Sequence, residues 1–180
     1  MNPEMQAIQI TASLMALAAR TAPKGKGVDE IAIEIVTGEK LQDLSREMKR
    51  IGTEQQIGFF LRDAGNVAAS DACVLIGIRG QVPAGVNCGG CGFATCAEMQ
   101  ESFSKSPVER HFKGPNCVIR MADIGIAVGS AAKTAAIHNA DNRIMYSAGT
   151  AALALGWCEG CTVAYGIPLK ASGKSIYFDR

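Results

Sequence analysis

The stretch Asn87-Cys88-Gly89-Gly90-Cys91-Gly92-Phe93-Ala94-Thr95-Cys96 constrains this chain more than any other. Its cysteines follow C-x2-C-x4-C spacing, with glycines threaded between them. A further cysteine stands in Gly114-Pro115-Asn116-Cys117, after a polar, partly basic connection. Any fold built on these residues has to bring one tight loop and one distant side chain to a common point. Thiolate-only ligation selects zinc or an iron–sulfur cluster.

The spacing argues for the cluster. Structural zinc usually takes two compact cysteine pairs, with a C-x2-C knuckle at each end. Here Cys88, Cys91 and Cys96 lie on one short segment, and Cys117 has no partner beside it. That is the three-plus-one arrangement of many ferredoxin-type sites. The glycines suit a loop that wraps a cuboidal cluster, because they allow close backbone approach and positive φ. Amide N–H groups freed in such a loop can point at sulfur and raise a potential. A structural zinc site is the second reading. Free thiols or disulfides are the third.

Seven cysteines in 180 residues is many, and the number is odd. The start Met1-Asn2-Pro3-Glu4 is polar and acidic, and no long uncharged apolar run follows. The expectation is a reducing cytoplasm, no signal peptide and no transmembrane helix, with cysteines acting as ligands or catalysts. A net charge of +1 and an aromatic share of 6% point away from nucleic acid and anionic membranes.

Periodicity predicts a helix over Met5 to Ala22, with Ile8, Leu14, Met15, Leu17 and Ala18 as its apolar face. A Gly/Lys loop follows, Ala22 to Val28. It reads as a solvated turn first and as a phosphate-holding loop second. Ile31 to Val36 and Ala72 to Ile78 read as strands, the second fully buried, with Cys73 as a small core hydrophobe. Between them lie helices over Glu39 to Ile51, with Leu41, Leu44 and Met48 on one face, and about Glu54 to Ala69, carrying Ile57, Phe60, Leu61 and Ala64. A helix starting at Ala94 puts Cys96 in its first turn, where the helix N-terminus favours a thiolate. Lys105 to Pro115 is a polar connection, and Cys117 to Arg120 returns to the core. Helices over Met121 to Ile137 and Arg143 to Leu155 follow, the first interrupted by Asp123 and Lys133 as a solvated edge or a salt bridge. Thr162 to Ile167 is the last strand. The whole is α+β, a three-layer sheet covered by helices in a single domain over residues 1–180, with residues 69–134 as the cluster-binding segment.

Two resemblances attach to these motifs. Cys88-Gly89-Gly90-Cys91-Gly92 with Cys96 and Cys117 is similar to the 4Fe–4S motif of ferredoxin-like domains. The whole chain resembles a family of uncharacterised prokaryotic ferredoxin domain-containing proteins. The second resemblance is to nitroreductases, carried by Ala18-Ala19-Arg20-Thr21-Ala22-Pro23, Asp123-Ile124-Gly125-Ile126-Ala127, Ala154-Leu155-Gly156 and Val163 to Pro168. It implies a nitroreductase-like fold with the cluster loop inserted, a homodimer, and FMN held near Arg20, Lys24 and Lys26. That family's Arg-Arg-Ser segment has no counterpart here, and the Asn of its Gly-rich loop is replaced near Gly27. Together the resemblances imply an electron-transfer protein. It would serve either a redox partner protein or a flavin that reduces a small-molecule substrate.

Cys158-Glu159-Gly160-Cys161 is a second C-x2-C, placed after a helix and before a strand. A redox pair, a share in a second metal site and two structural thiols are all open for it. The reversed order, helix before and strand after, counts against a thioredoxin-like pair.

Overall fold

The computed structural model describes residues 2–178. Six helices and six strands follow in order: α1 (Pro3–Thr21), β1 (Ile31–Val36), α2 (Glu39–Glu54), α3 (Gly58–Ala68), β2 (Ala72–Ile78), α4 (Cys96–Lys105), β3 (Val108–Glu109), β4 (Lys113–Gly114), α5 (Val118–Ile137), β5 (Asp141–Asn142), α6 (Tyr146–Ala154) and β6 (Val163–Lys170). The main sheet is antiparallel with strand order β1-β2-β6-β5, and β3 and β4 form a separate hairpin.

Strand β2 is buried along its whole length, as its unbroken apolar run requires. Its alternating side chains feed two cores. Val74, Ile76 and Ile78 pack with Ile8, Met15, Ile124 and Val128 from α1 and α5. Cys73 and Leu75 pack with Leu41, Leu44, Met48, Phe60 and Val67 from α2 and α3, and with Ala148, Ala151 and Ala152 of α6. Helices therefore cover both faces, which is the expected three-layer arrangement. Each fully buried Leu, Ile or Met contributes about 1.5–3 kcal/mol of hydrophobic stabilisation.

The predicted face of α1 differs from the observed one, and α3 buries an acid. On α1 the buried line is Ile8, Ala12, Met15 and Ala19, while Leu17 is exposed. Alanines form that line because α1 packs against the equally Ala-rich Ala127, Ala131 and Ala135 of α5, where small side chains allow close approach. On α3, Leu61 turns outward and Asp63 turns in. The Asp63 carboxylate accepts a bond from Ser147 Oγ at 2.6 Å and pairs with Arg62 at 2.7 Å.

Several boundaries also move. Val118 to Arg120 is the first turn of α5 rather than an extended segment before it. Helix α6 begins at Tyr146, because Met145 exchanges backbone hydrogen bonds with Gly166 at 2.8 and 3.0 Å. The polar connection before Cys117 contains the β3–β4 hairpin. Strand β6 runs through Pro168 to Lys170, longer than predicted.

Candidate functional site: two helix N-termini and a glycine loop

The segment between β2 and α5 leaves the sheet, forms the cysteine loop, α4 and the hairpin, and returns at Cys117. Cys96 is the first residue of α4, two positions later than a start at Ala94 would place the helix. Thr95 caps it: its hydroxyl accepts from the Glu98 N–H at 3.2 Å, and Glu98 Oε2 accepts from the Ala94 N–H at 3.1 Å. This capping-box signature, Thr95-Cys96-Ala97-Glu98, was readable in the sequence. Asn87, at φ 48°, accepts the Cys96 N–H on its Oδ1 at 2.8 Å. The Cys96 thiol is held below its ordinary range. The backbone N–H of Asn87 is the largest cause, opposed by burial and assisted by the N–H groups of Gly85 and Val86 and the charge of Lys26.

Cys117 occupies the N-cap of α5 and is buried, with its N–H donating to Gly80 O at 2.8 Å. The candidate cysteines thus include one at each of two helix N-termini, where the helix dipole favours negative charge. Cys91 packs against the small cluster of Ala84, Met99 and Cys117. Cys88 is exposed, and Cys91 and Cys96 are half-buried. The loop and Cys117 are therefore neighbours. Among the described residues, however, no three His, Cys, Asp or Glu side chains converge as a metal-holding group. The donor set fits a thiolate-ligated centre in kind and in neighbourhood, and its side chains are not drawn together in this arrangement.

The first turn of α5 is also where three glycine segments meet. A Cβ on Gly90 would fall 2.6 Å from Val118 Cγ1. A Cβ on Gly25 would overlap the Ile119 side chain, and one on Gly80 would overlap Asn116. Beneath them lies a buried ion pair. Arg120 and Asp123 are only 2% and 3% exposed, with Nη1 2.9 Å from Oδ2. Asp123 Oδ1 accepts the Gly25 N–H at 2.7 Å, and Arg120 donates to Val28 O at 3.1 Å and to Val82 O at 3.2 Å. The pair ties the Gly/Lys loop and the start of the cysteine segment to the helix that carries Cys117. Asp123 is therefore a buried partner and not a solvated edge, while Lys133 is exposed.

The Gly/Lys loop is a short turn, with Lys26 at φ 59°. Lys24 is engaged. Its ammonium donates to the carbonyls of Ala19, Arg20 and Ala22, and its side chain is 6% exposed. It closes the C-terminus of α1, where the dipole favours a cation. Arg20 is engaged as well, donating to Asp29 Oδ2 at 2.6 Å and Ile31 O at 2.8 Å. Lys26 has no side-chain partner among the described residues. Of the three flavin candidates, Lys24 is spent on α1, Arg20 is held through Nη1 yet half exposed, and Lys26 makes no side-chain hydrogen bond among the described residues.

The second pair takes a different character. Cys158, at φ 53°, is 1% exposed, and its N–H donates to Glu34 Oε1 at 2.6 Å. Gly77 of β2 leaves the space for both thiols: a Cβ there would stand 2.9 Å from Cys158 Cβ and from Cys161 Sγ. Burial pushes the Cys158 thiol up to about 12, with Glu34 adding to it, and burial also raises Cys161. Cys73 is a fully buried core residue whose thiol burial likewise raises. These thiols are protonated near neutrality, so alkylation should separate the groups. In metal-free protein at neutral pH, iodoacetamide should label Cys96 well before Cys158. Peptide mass mapping that found Cys158 labelled first would contradict this assignment of environments.

Comparison with known proteins is consistent with this layout. Residues 113–180 match the family described as an uncharacterized protein containing a ferredoxin domain (DUF2148). The match includes Cys117 and begins after Cys96. An uncharacterized protein of Archaeoglobus fulgidus is 45% identical over 175 residues, spanning 97% of this chain and 92% of that one. The chain belongs to this family of uncharacterized ferredoxin-domain proteins. Its fold is shared with solved nitroreductases. One, with bound FMN, from Desulfitobacterium hafniense, superposes with a TM-score of 0.56 at 14% identity, covering 97% of this chain and 91% of that one. A putative nitroreductase in complex with FMN from Desulfovibrio desulfuricans gives 0.57 at 12% identity, covering 100% and 92%. This ferredoxin-domain protein therefore has the nitroreductase fold with the cysteine segment inserted between β2 and α5. No described helix is long and apolar enough to cross a membrane.

Proposed function

We propose that this ferredoxin-domain protein is a redox protein holding a 4Fe–4S cluster on Cys88, Cys91, Cys96 and Cys117. The observation that carries the reading is a cysteine at the N-terminus of each of α4 and α5, with the glycine loop leading into the first helix and its Gly90 packed on the second. The bound cluster would supply one-electron transfer. The chain's own residues would set its conditions. The amides of Gly85, Val86 and Asn87 favour charge on Cys96, Lys26 adds a positive charge nearby, and burial of Cys117 limits water on that side.

A flavin is a second element of the reading, supported by the FMN named for two proteins of the same fold. Lys26 is the residue to test for it. Lys26→Glu should lower flavin occupancy without changing the melting temperature. Unchanged occupancy would remove Lys26 from the site. The wider reading is a homodimer that passes electrons to a partner protein or a small molecule.

The ligand assignment is tested by substitution. Cys117→Ser in anaerobically purified protein should lose most of its iron, whereas Cys158→Ser should keep it. Loss of iron from the Cys158 variant with retention in the Cys117 variant would mean that the ligands are a different set. Zinc in place of iron, with no sulfide, would favour the structural reading.

A further inference from the structure

Between the β3–β4 hairpin and helices α2 and α6 lies a cleft with a volume of about 390 Å³. A second cavity of about 770 Å³ lies beside the same hairpin and shares Gln55, Glu109, Arg110, His111 and Phe112 with it. Both volumes are within the range of small-molecule sites. The apolar part of the wall is Phe112, Ile51 and Leu153. The polar part is organised around His111. Its Nε2 stands 2.6 Å from Gln55 Oε1, and its Nδ1 stands 2.5 Å from the Tyr146 hydroxyl. Rings of Phe60 and Tyr146 flank the imidazole at 5.3 and 5.7 Å, which fixes its plane.

The charges in the wall are unequal. Arg50 is neutralised by Glu47 and Glu54, and Lys113 by Glu109. Arg110 has no ion pair among the described residues, so one guanidinium in the wall stands without an acidic partner. A planar guanidinium next to ring and hydroxyl groups, with an apolar wall behind, is suited to an oxyanion on an organic body.

We propose that this cleft binds a small organic anion, a carboxylate or a phosphate monoester, through Arg110, with His111, held from behind by Tyr146, against the ligand and Phe112 and Leu153 against its apolar part. The site is separate from the four candidate metal ligands, and its occupancy does not depend on the cluster. Its wall is nevertheless the chain that joins α4, which begins at Cys96, to Cys117. A molecule bound there would sit against the segment that connects two of the candidate ligands.

The test uses the anaerobically purified protein with benzoate and inorganic phosphate as separate probes. Calorimetry reads affinity, and ¹³C-histidine NMR reads place, since His111 and His138 are the only histidines. Expected is saturable binding of at least one probe, with the His111 signal moving and that of exposed His138 fixed. Benzoate alone would identify a carboxylate ligand, and phosphate alone a phosphate. Arg110→Ala should weaken binding about ten-fold or more, which corresponds to about 1.4 kcal/mol. Arg46→Ala removes an equal charge from α2 outside the cleft and should leave affinity unchanged. Arg110 and Arg46 are both exposed, so neither variant threatens the fold. Binding of neither probe would overturn the proposal. So would equal loss in the two arginine variants, or binding that leaves the His111 signal in place.

Discussion

Arg120→Ala should destabilise this protein by about 3–5 kcal/mol, because it strands the buried Asp123 carboxylate without its partner. The guanidinium also satisfies the carbonyls of Val28 and Val82, which lie on segments far apart in the chain. Three consequences are therefore expected together. The denaturation midpoint should fall, the Gly25 to Val28 turn should lose its anchor, and the cysteine loop should lose one tie to α5. Arg120→Lys should not rescue the loss, since an ammonium cannot reproduce a planar fork. A double replacement, Arg120→Met with Asp123→Leu, removes both charges and should recover much of the stability. Urea unfolding of the three variants measures this. A loss below about 1 kcal/mol for Arg120→Ala would mean that water reaches Asp123 and the pair is no clamp.

Gly149→Ala should be comparably severe. Gly149 sits in α6 directly against β6, where an added Cβ would overlap the Ala164 carbonyl and lie 2.6 Å from Tyr165 Cα. The obstructing atoms are backbone of a central strand, so no rotamer change relieves them. Helix α6 would have to lift off the sheet, breaking contacts of Ala148, Ala151 and Ala152 with the second core. The expected loss is about 3 kcal/mol or more, at the upper end for overpacking. This outweighs the roughly 1 kcal/mol that Gly→Ala gains in helix propensity. Thermal denaturation checks it, and an unchanged or raised melting temperature would refute the close approach. At the exposed Gly58, where an added Cβ meets nothing, the same substitution should be harmless.

Much of the architecture was legible because it rests on local periodicity. The apolar run Ala72 to Ile78 defined the central strand, and Leu41, Leu44 and Met48 marked the buried face of α2. The family was legible from the Cys88 to Cys96 loop with Cys117, and the fold from segments outside it such as Ala18 to Pro23 and Val163 to Pro168. What was hidden depends on distant contacts. Arg120 reads as the polar end of an apolar run, and only its i, i+3 spacing to Asp123 within a helix hints at a pair. Gly25, Gly80 and Gly90 look like ordinary loop residues until α5 brings its first turn against all three. Lys24 reads as a free surface cation, yet the end of α1 folds three carbonyls around it. The cleft at His111 depends on Gln55 and Tyr146, which are 56 and 35 residues away in sequence. At the candidate site, the helix start at Cys96 could have been placed two residues more accurately from Thr95 and Glu98. The position of Cys117 at a helix N-cap could not, because Val118 and Ile119 favour an extended reading as readily.

The most direct test of the central claim is a metal and sulfide assay on protein purified without oxygen, with an absorbance spectrum of the same sample. The account predicts about four iron and four acid-labile sulfides per chain and a broad visible absorbance that bleaches on reduction. One zinc per chain with no sulfide would contradict it and leave the four cysteines as a structural knot.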